Sequence, residues 1–484
     1  MPLLDPAPWT GKIFTGTWTS TGRTSTSTNP ATGEVLGEFG TAEADVLSTS
    51  AEAARNAQAG WAATSHRERG TVLRRAADLL EASHDEVLDM VMREAGKARA
   101  AAELEVGLAI DELREAEKLT SGPYAHLLPT DQPGRVSVAR RQPRGVVAVI
   151  APWNFPLNLA MRSVAPALAT GNAVILKPAS ETVLCCGVVI ARLFEEVGLP
   201  AGLLHVLPGK GSELGNAFAD EPNVDMISFT GSTPVGLQLA QAAAKHVKKF
   251  VAELGGNNAY LVLDDADVDA AASAGAYGSF VHQGQVCMAT GRHLVAAALV
   301  DDYARALAER AEAMTVGNPL DGVDLGPVIN SSQADHIEDV VRRSVEAGAR
   351  VVAGGTRDGL FFRPTVLADV TPDMPAYSEE IFGPVAVVTA VADDDEAVRL
   401  ANGTPYGLVA AVHSGSAARA QAVGDRLEAG MVHVNDQTVQ DEAIAPFGGR
   451  GDSGGGGTFG GLTNLDEFTE WQWMTIRDTQ SRPL

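Results

Sequence analysis

The chain has 484 residues, of which 20% are charged, and its formal net charge is −24. This length supports two to four domains with sizeable cores, and so negative a chain repels phosphate backbones, which disfavours nucleic acid as a partner. We find no apolar run of about 18 residues, as a membrane helix needs, and no basic segment followed by an apolar one at the N-terminus. We therefore expect a cytoplasmic protein that contacts no membrane.

The first part of the chain combines a strand-and-turn pattern with a helical one. Residues 29–34, Asn-Pro-Ala-Thr-Gly-Glu, indicate a turn between short strands. From Thr41 to Ser121, alanine and leucine recur at three- and four-residue spacing, which predicts helices. Residues 135–141 then alternate with period two and predict an exposed strand.

Apolar runs alternate with helical segments in the rest of the chain. Buried strands are predicted over 145–150, 172–178, 203–208 and 224–229, with a helix over 186–198. A second series follows Glu253, with helices over 266–280, 299–316 and 331–348 and a strand over 385–388. Such alternation is typical of parallel sheets covered on both faces, so we predict two α/β domains. Strand character returns at 468–476.

Two short segments carry groups suited to covalent catalysis. Gly284-Gln285-Val286-Cys287 places a cysteine behind a glycine, and Glu253-Leu254-Gly255-Gly256 places a carboxylate beside two glycines. A thiol that attacks carbon and a carboxylate that activates water are the two parts of a covalent, hydrolytic mechanism. The other two cysteines, Cys185 and Cys186, are adjacent in an apolar run, and we expect them to be free and buried.

Three segments could bind a phosphate-bearing cofactor, each with an ordinary structural alternative. Phe229 to Gly236 follows a predicted strand and precedes a helix, so Gly231 would permit a tight turn, Ser232 would cap the helix, and free N–H groups would attract phosphate. An ordinary strand–turn–helix explains the same residues. The loop Gly209 to Gly215 misses the dinucleotide fingerprint by one residue, and a surface loop is its alternative. Lys177 ends a strand and would hold ribose or phosphate, or simply be solvated.

Taken together, the motifs resemble the NAD(P)-dependent aldehyde dehydrogenases, over essentially the whole chain. Seven segments occur in the family's order, namely Pro152-Trp153-Asn154-Phe155-Pro156, Leu176-Lys177-Pro178, Phe229-Thr230-Gly231-Ser232-Thr233, Glu253-Leu254-Gly255-Gly256-Asn257, Gly284-Gln285-Val286-Cys287, Glu380-Ile381-Phe382-Gly383-Pro384 and Pro446-Phe447-Gly448-Gly449. Residues 287–292 and 468–473 look most like the aromatic branch, the benzaldehyde and vanillin dehydrogenases.

The resemblance implies an α/β fold of three parts. A Rossmann-type dinucleotide-binding domain would comprise residues 1–122 and 143–254, and an α/β catalytic domain residues 255–455. A small bridging β-sheet would comprise residues 123–142 and 456–484 and join subunits into a homodimer or homotetramer. Two isolated strands are not a stable unit, and unpaired edges tend to be covered, which agrees with this expectation.

The resemblance also implies a role for each catalytic residue. Cys287 would attack the aldehyde carbon, and the Asn154 amide with the Cys287 N–H would hold the resulting oxyanion. After hydride transfer to the nicotinamide, Glu253 would activate water to hydrolyse the thioester, which favours a free carboxylic acid as the product. A turn residue at 154 and a structural carboxylate at 253 are the alternatives.

Cofactor contacts follow from the same resemblance. Lys177 and Glu380 would hold the riboses, and Gly231 and Ser232 the pyrophosphate. Phe382 would pack near the nicotinamide end, and Trp153 would line the cofactor cleft. The remaining expected contacts are Ser180, Gly211, Gly215, Phe229, Gly236 and Leu254. Ser180 stands where NAD-preferring members often carry Glu, and this removes repulsion of a 2′-phosphate, although Glu181 next to it could restore some. We therefore expect NADP, NAD or both to serve, and no metal to be needed.

The substrate end is the least determined by sequence. Asn158 and Arg162 are four residues apart and share a helical face, where a polar pair would suit a ring bearing hydroxyl or methoxy groups. Phe447 is the expected ring-stacking wall. Arg162 could instead form a structural salt bridge, or Arg162 or His433 could anchor the carboxylate of succinic semialdehyde. A thioesterase and a non-catalytic relative are further alternatives, and we assign no role to Asp452.

Overall fold

The computed structural model describes residues 2–478. Its helices are α1 Ala44–Ala63, α2 His66–Ala82, α3 His84–Glu94, α4 Arg99–Leu119, α5 Pro156–Ala169, α6 Val189–Glu196, α7 Gly211–Asp220, α8 Thr233–Lys245, α9 Val268–Phe280, α10 Val300–Ala313, α11 Ser331–Glu346, α12 Pro375–Ser378, α13 Asp394–Ala401, α14 Ala417–Gly424 and α15 Thr463–Phe468. A π-helix at Val183–Val188 precedes α6, and 3₁₀ turns occur at Val281–Gly284 and Pro319–Asp321.

The strands form two large sheets and several small ones. They are β1 Ile13–Phe14, β2 Trp18–Thr19, β3 Thr24–Thr28, β4 Val35–Gly40, β5 Ala125–Leu128, β6 Arg135–Pro143, β7 Val146–Ile150, β8 Ala173–Lys177, β9 Leu204–Val206, β10 Met226–Thr230, β11 Lys249–Glu253, β12 Asn258–Val262, β13 Thr290–Ala296, β14 Arg350–Ala353, β15 Arg357–Asp358, β16 Phe361–Phe362, β17 Thr365–Ala368, β18 Val385–Val391, β19 Tyr406–Gly407, β20 Val409–His413, β21 Met431–Val434, β22 Arg450–Gly451 and β23 Thr469–Arg477.

The first large sheet has the strand order β11-β10-β7-β8-β9-β1-β2, and its β7–β11 strands are parallel. All five residues of β7 and all five of β8 are buried, as expected for strands covered by helices on both faces. The chain moves outward from β7 to β9 and then returns to place β10 on the other side of β7. This reversal creates a crevice at the carboxyl ends of β7 and β10, where open α/β sheets bind their ligands.

The second large sheet has the order β14-β17-β18-β13-β12-β20-β21 and is parallel except for β14. Helices cover its two faces and bury two separate apolar clusters. The third element is an antiparallel sheet, β23-β6-β5, in which β6 pairs with β23 along nine residues. Large apolar side chains stand exposed on this sheet, with Leu127 at 79% and Trp473 at 69% of full exposure.

The secondary-structure predictions are confirmed with shifted boundaries. The four buried strands are present at β7, β8, β9 and β10, and the turn at 29–34 joins β3 to β4. The helix predicted from 186 begins instead as a π-helix at Val183. The loop predicted at 209–215 is wrong, because Gly211 begins α7 and Gly215 lies within it. Hydrogen bonding along the helix offsets the low helix propensity of these glycines.

Within residues 2–478, no helix has the length and apolar composition that crossing a bilayer requires. The end of the predicted segment 456–484 lies outside the described residues. Cys185 and Cys186 are buried and free, as predicted.

Candidate active site

A cavity of about 280 Å³ opens where three strands of the first sheet end. Because Thr230 pairs with Glu253 and Phe229 with Ile150, these strands finish at one edge of the sheet. The segments that leave this edge line the cavity, namely Pro152-Trp153-Asn154, Thr230-Gly231-Ser232 and Glu253-Leu254-Gly255. Cys287, Glu380 and Phe382 face them from the other half of the molecule. The fold therefore brings the predicted nucleophile, base and oxyanion donor to one cavity.

A left-handed turn presents Cys287 to this cavity. His282, Gln283 and Gly284 have φ values of 50°, 57° and 65°, a region that non-glycine residues adopt only when surrounding contacts hold them there. The Gln283 Nε2 group donates to the carbonyl oxygens of Pro327, at 2.6 Å, and Gly96, at 2.9 Å. A Cβ at Gly284 would lie 2.1 Å from the Gly383 carbonyl oxygen, so glycine is required there.

A second cavity, of about 150 Å³, lies on the far side of Cys287. The two cavities share Asn154, Leu159, Cys287 and Phe447. The sulfur thus stands at the junction of two spaces, one at the carboxyl ends of the first sheet's strands and one lined by α5 and residues 437–441. A cofactor in one and a second molecule in the other would both reach it.

Asn154 is buried and directed at the Cys287 loop. Its Nδ2 group donates to the Gln285 carbonyl oxygen at 3.1 Å, which fixes the amide two residues from the nucleophile. An amide nitrogen has two N–H bonds, and this is the one hydrogen bond that Nδ2 makes to a described residue. The other N–H is available to an oxyanion forming at a carbon bound to Cys287, which is how such donors lower barriers.

The surroundings of Cys287 favour its protonated thiol. Burial raises its pKa to about 12, the Arg162 guanidinium opposes that rise, and the carboxylates of Glu253, Glu380 and Asp441 add to it. Since the thiolate is the nucleophile, a proton must leave the sulfur before or during attack. A base in the same cavity is therefore needed.

Glu253 has the environment of such a base. It ends β11 with only 4% of its surface exposed, and neither carboxylate oxygen has a hydrogen-bond partner among the described residues. Burial raises the pKa of this carboxyl well above its usual value, while the Arg162 charge opposes the rise. A carboxylate with a raised pKa is a stronger base than an exposed one and suits proton transfer near neutral pH.

Glu380 and its neighbours fit a dinucleotide in the larger cavity. The Gly256 N–H donates to Glu380 Oε1 at 2.9 Å, and burial raises the pKa of this carboxyl to about 7. A Cβ at Gly255 would lie 2.0 Å from Glu380 Oε2, so the close approach depends on glycine. Trp153 and Phe382 meet edge to face, with ring centroids 5.4 Å apart, and both line the cavity.

The start of α8 also faces this cleft. Ser232 occupies the N-cap position, but its side chain makes no capping hydrogen bond, which differs from the cap we predicted. The unsatisfied N–H groups of a helix start attract phosphate, and the adjacent Gly231 leaves room for close approach. The residues present therefore fit a pyrophosphate at this point.

Most of the other expected cofactor contacts lie outside the lining of the larger cavity. Lys177 ends β8 at the same sheet edge, where it is buried and Nζ donates to the Pro178 carbonyl oxygen at 3.2 Å. Ser180 is exposed beyond it. Neither residue lines the cavity, and the same holds for Gly211 and Gly215 in α7, Phe229 in the core, and Gly236 in α8, which packs against the lining residue Leu254. The roles of all these residues stay predictions.

The comparisons with known proteins agree with this geometry. The model of the aldehyde dehydrogenase family matches residues 18–474. The chain belongs to the aldehyde dehydrogenase family. A vanillin dehydrogenase of Amycolatopsis sp. is 50% identical over 99% of this chain and 98% of its own length, and a benzaldehyde dehydrogenase [NAD(+)] of Pseudomonas putida is 45% identical over 97% and 96%.

A solved structure extends the similarity to the whole fold. An NADP-dependent glyceraldehyde-3-phosphate dehydrogenase from Bacillus halodurans, complexed with NADP, matches with a TM-score of 0.93 at 33% identity, covering 97% of this chain and 99% of that one. The protein is thus an aldehyde dehydrogenase enzyme with a nicotinamide dinucleotide as its cofactor. The larger cavity at the crevice of the first sheet is the place that fits this cofactor.

In this aldehyde dehydrogenase, the smaller cavity has an apolar lining with a few polar groups. Phe155, Leu159, Val286, Met288 and Phe447 form one apolar cluster around Cys287. The predicted polar pair lies here, because Asn158 and Arg162 are both buried in α5 and line the cavity.

Arg162 is already engaged by protein carboxylates. Its Nε donates to Glu112 at 3.0 Å and its Nη2 to Asp441, and its guanidinium lies 4.3 Å from the centre of the Phe447 ring. The structural salt bridge that we weighed as an alternative is therefore present. Among the described residues, Arg162 Nη1 and Asn158 Oδ1 are buried without a hydrogen-bond partner.

Several residues of the site gave no signal in the sequence. Gln333 and His336 come from α11, whose pattern is that of any surface helix, and they hold the backbone of 380–382 through hydrogen bonds from their side chains. The unanticipated lining residues of the smaller cavity are Leu104, Leu108, Tyr277, Gln437, Val439, Gln440 and Asp441. A pattern of spacing cannot reveal these, because they come from segments far apart in the chain.

Proposed function

We propose that this enzyme oxidises aromatic aldehydes, of the benzaldehyde and vanillin kind, to carboxylic acids with NAD or NADP. The observation that carries the proposal is the cavity behind Cys287, whose lining is largely apolar, includes the Phe447 ring, and carries Asn158 and Arg162 among its few polar residues. An aromatic ring suits such a lining. Relatives named for vanillin and benzaldehyde share 50% and 45% of their residues with the chain.

The proposed chemistry uses three side chains. The proton of the Cys287 thiol passes to Glu253, directly or through water, as sulfur attacks the aldehyde carbon. The Asn154 amide and the Cys287 N–H stabilise the oxygen of the resulting hemithioacetal, and loss of one such donor raises barriers by about 3 kcal/mol. Bound NAD(P)⁺ supplies the hydride acceptor that makes a thioester possible. Glu253 then releases the thiol proton to solvent and takes a proton from the water that attacks the thioester, so that the acid and the Cys287 thiol are released.

A substrate panel tests this proposal. We expect kcat/KM for benzaldehyde and vanillin to exceed the values for hexanal and succinic semialdehyde by about tenfold or more, since one or two extra apolar contacts are worth this much. NAD(P)H formation at 340 nm and acid product by chromatography give the rates. A preference for succinic semialdehyde would favour the alternative that we weighed, in which a basic residue anchors a distal carboxylate.

Recognition of ring substituents makes a sharper prediction at Asn158. We expect Asn158→Ala to raise the KM for vanillin about tenfold and to leave the KM for benzaldehyde within twofold, because the buried Oδ1 can accept a hydrogen bond from the phenolic hydroxyl. Arg162→Ala is a poorer probe, since it would leave Glu112 and Asp441 buried without their cation.

The control for this variant lies on the same helix. Ser163→Ala removes a hydroxyl that bonds to Ser228 outside the cavity, so it should change neither KM. Equal KM shifts for vanillin and benzaldehyde in Asn158→Ala would contradict hydroxyl recognition and indicate a general change of the helix.

Cofactor choice gives another prediction, at Ser180. We expect the enzyme to accept NADP, and Ser180→Glu to lower kcat/KM for NADP at least tenfold while leaving NAD within threefold, since a carboxylate repels a 2′-phosphate. Ser180→Ala is the matched control. A wild-type efficiency for NADP several hundredfold below that for NAD would rule the idea out. It would point to Glu181, whose charge opposes the lowering of the Lys177 pKa by burial.

We also propose the three-part division of the chain and assembly into a homodimer or homotetramer. The three separate sheets support the division, although α15 packs Leu465 and Phe468 into the core of the first sheet. The exposed apolar residues of the bridging strands support assembly, since such patches favour burial against a partner. Three free cysteines support a reducing, cytoplasmic location.

A further inference from the structure

A fully buried ion pair, Lys97 with Glu105, lies beneath the active site. Neither side chain has any exposed surface. Burying two charges is so costly that a well-packed apolar pair of similar volume is often as stable or more stable. Stability alone therefore does not account for the pair, and its two side chains also contact residues next to the active site.

Glu105 caps the helix that follows Asn154. Its Oε1 accepts the backbone N–H groups of Leu157, at 2.8 Å, and Asn158, at 3.4 Å, in the first turn of α5. Phe155, at the N-cap position, supplies no capping hydrogen bond of its own. A carboxylate from α4 thus satisfies the orphan donors of α5 and lies at the positive end of its dipole.

Lys97 touches both sides of the catalytic junction. Its Nζ lies 3.3 Å from the centre of the Phe155 ring, next to Asn154, and that ring meets His282 edge to face at 5.5 Å. The preceding Gly96 carbonyl accepts the hydrogen bond from Gln283 in the left-handed turn. The loop between α3 and α4 therefore contacts the segment that carries Asn154 and the turn that presents Cys287.

We propose that the Lys97–Glu105 pair positions the catalytic groups, fixing Asn154 against the Cys287 loop through the first turn of α5. Neither residue lines either cavity around Cys287, so both act through Asn154 and not on the substrate. The proposal rests on the proposed function, in which Asn154 holds the oxyanion. A displacement of about 1 Å at such a donor can cost about 10²-fold in rate.

Two double variants test whether the cap sets the rate. Lys97→Met/Glu105→Gln keeps an oxygen that can accept from Leu157 and Asn158, and Lys97→Met/Glu105→Met does not. Neither leaves an unpaired buried charge, so circular dichroism melting should show both folded. We expect the Met/Met variant to have a kcat at least tenfold below the Met/Gln variant, with KM within threefold. Glu105→Asp, which keeps the charge but shortens its reach, should show the same loss.

The Asn154→Ala background separates positioning from a general structural role. There, the two double variants should have equal kcat within twofold, because the group being positioned is gone. Two outcomes would overturn the proposal. One is an equal kcat for the two double variants when Asn154 is present, and the other is the same tenfold difference between them when Asn154 is replaced by alanine. Hydrolysis of p-nitrophenyl acetate provides the readout that needs no dinucleotide. Failure of the proposed function would remove the preference of the wild type for benzaldehyde and vanillin over aliphatic aldehydes, whereas failure of positioning would leave ester hydrolysis equal in the two double variants.

Discussion

Replacement of Cys287 by serine lowers kcat for aldehyde oxidation by about 10⁴-fold or more, as expected when a covalent nucleophile is lost. A serine hydroxyl is far less acidic than a thiol, so its proton is much harder for a carboxylate such as Glu253 to remove. The site geometry should survive, because the Cys287 backbone is held by Asn258, whose Nδ2 group donates to the Cys287 carbonyl oxygen at 2.8 Å. Dinucleotide affinity, measured by tryptophan fluorescence, should therefore change less than threefold.

The chain offers a matched control for this variant. Cys186→Ala alters a buried thiol of the π-helix, away from both cavities, and should keep wild-type kcat within about threefold. Iodoacetamide followed by mass spectrometry should modify Cys287 and leave the buried Cys185 and Cys186 unmodified. Retention of more than about 1% of wild-type kcat in Cys287→Ser would contradict the requirement for the Cys287 thiol.

Replacement of Glu253 by glutamine has the second largest expected effect. Removal of a general base typically costs about 10²–10⁴-fold, and we expect this loss in steady-state kcat. Because water can still carry the thiol proton to solvent, acylation should continue, and the acyl group should remain on Cys287 as a thioester, detectable by intact-protein mass spectrometry after mixing with aldehyde and NAD⁺. A Glu309→Gln control makes the same chemical change on the exposed face of α10 and should leave the rate unaltered. Rapid hydrolysis without an acyl-enzyme would contradict the role of Glu253.

The pH dependence of the rate follows from the same carboxyl. Burial raises the pKa of Glu253 well above its usual value, and only the ionised form accepts a proton. The rate of thioester hydrolysis in the wild type should therefore fall as pH decreases through this raised pKa, and the Glu253→Gln variant should lack this limb. Rates measured between pH 5 and pH 9 distinguish the two, and an identical profile in both proteins would contradict the assignment.

Glu253 should also make the folded protein less stable as pH rises. The folded-state pKa is raised, so the folded state binds more protons than the unfolded state between the ordinary carboxyl pKa and the raised one. Below the ordinary pKa the group is protonated in both states and costs no stability. As pH increases through that window, the free energy of unfolding decreases. Glu253→Gln should therefore melt at a higher temperature than the wild type at pH 8, with a smaller difference at pH 5. This is the usual conflict between function and stability at an active site.

The sequence by itself determined the elements whose signals are local. Apolar runs of five or six residues bounded by glycine and proline identified β7, β8 and β10, because buried parallel strands need continuous apolar side chains. The ordered motifs likewise identified Cys287, Glu253 and Asn154, which the fold brings to one cavity. Chemistry restricts which residue types can serve as nucleophile, base or oxyanion donor, so these positions carry information without any tertiary contact.

Only the tertiary structure decided the environment of those groups. Arg162 contacts Glu112 and Asp441, which lie 50 and 279 positions away in the chain, and Glu105 accepts a hydrogen bond from Leu157, 52 positions later. No local pattern records such pairs, because side chains meet according to how helices and strands pack. The raised pKa of Glu253, the strained turn before Cys287 and the Glu105 cap all arise from burial and long-range contacts, which exist only once the chain is folded.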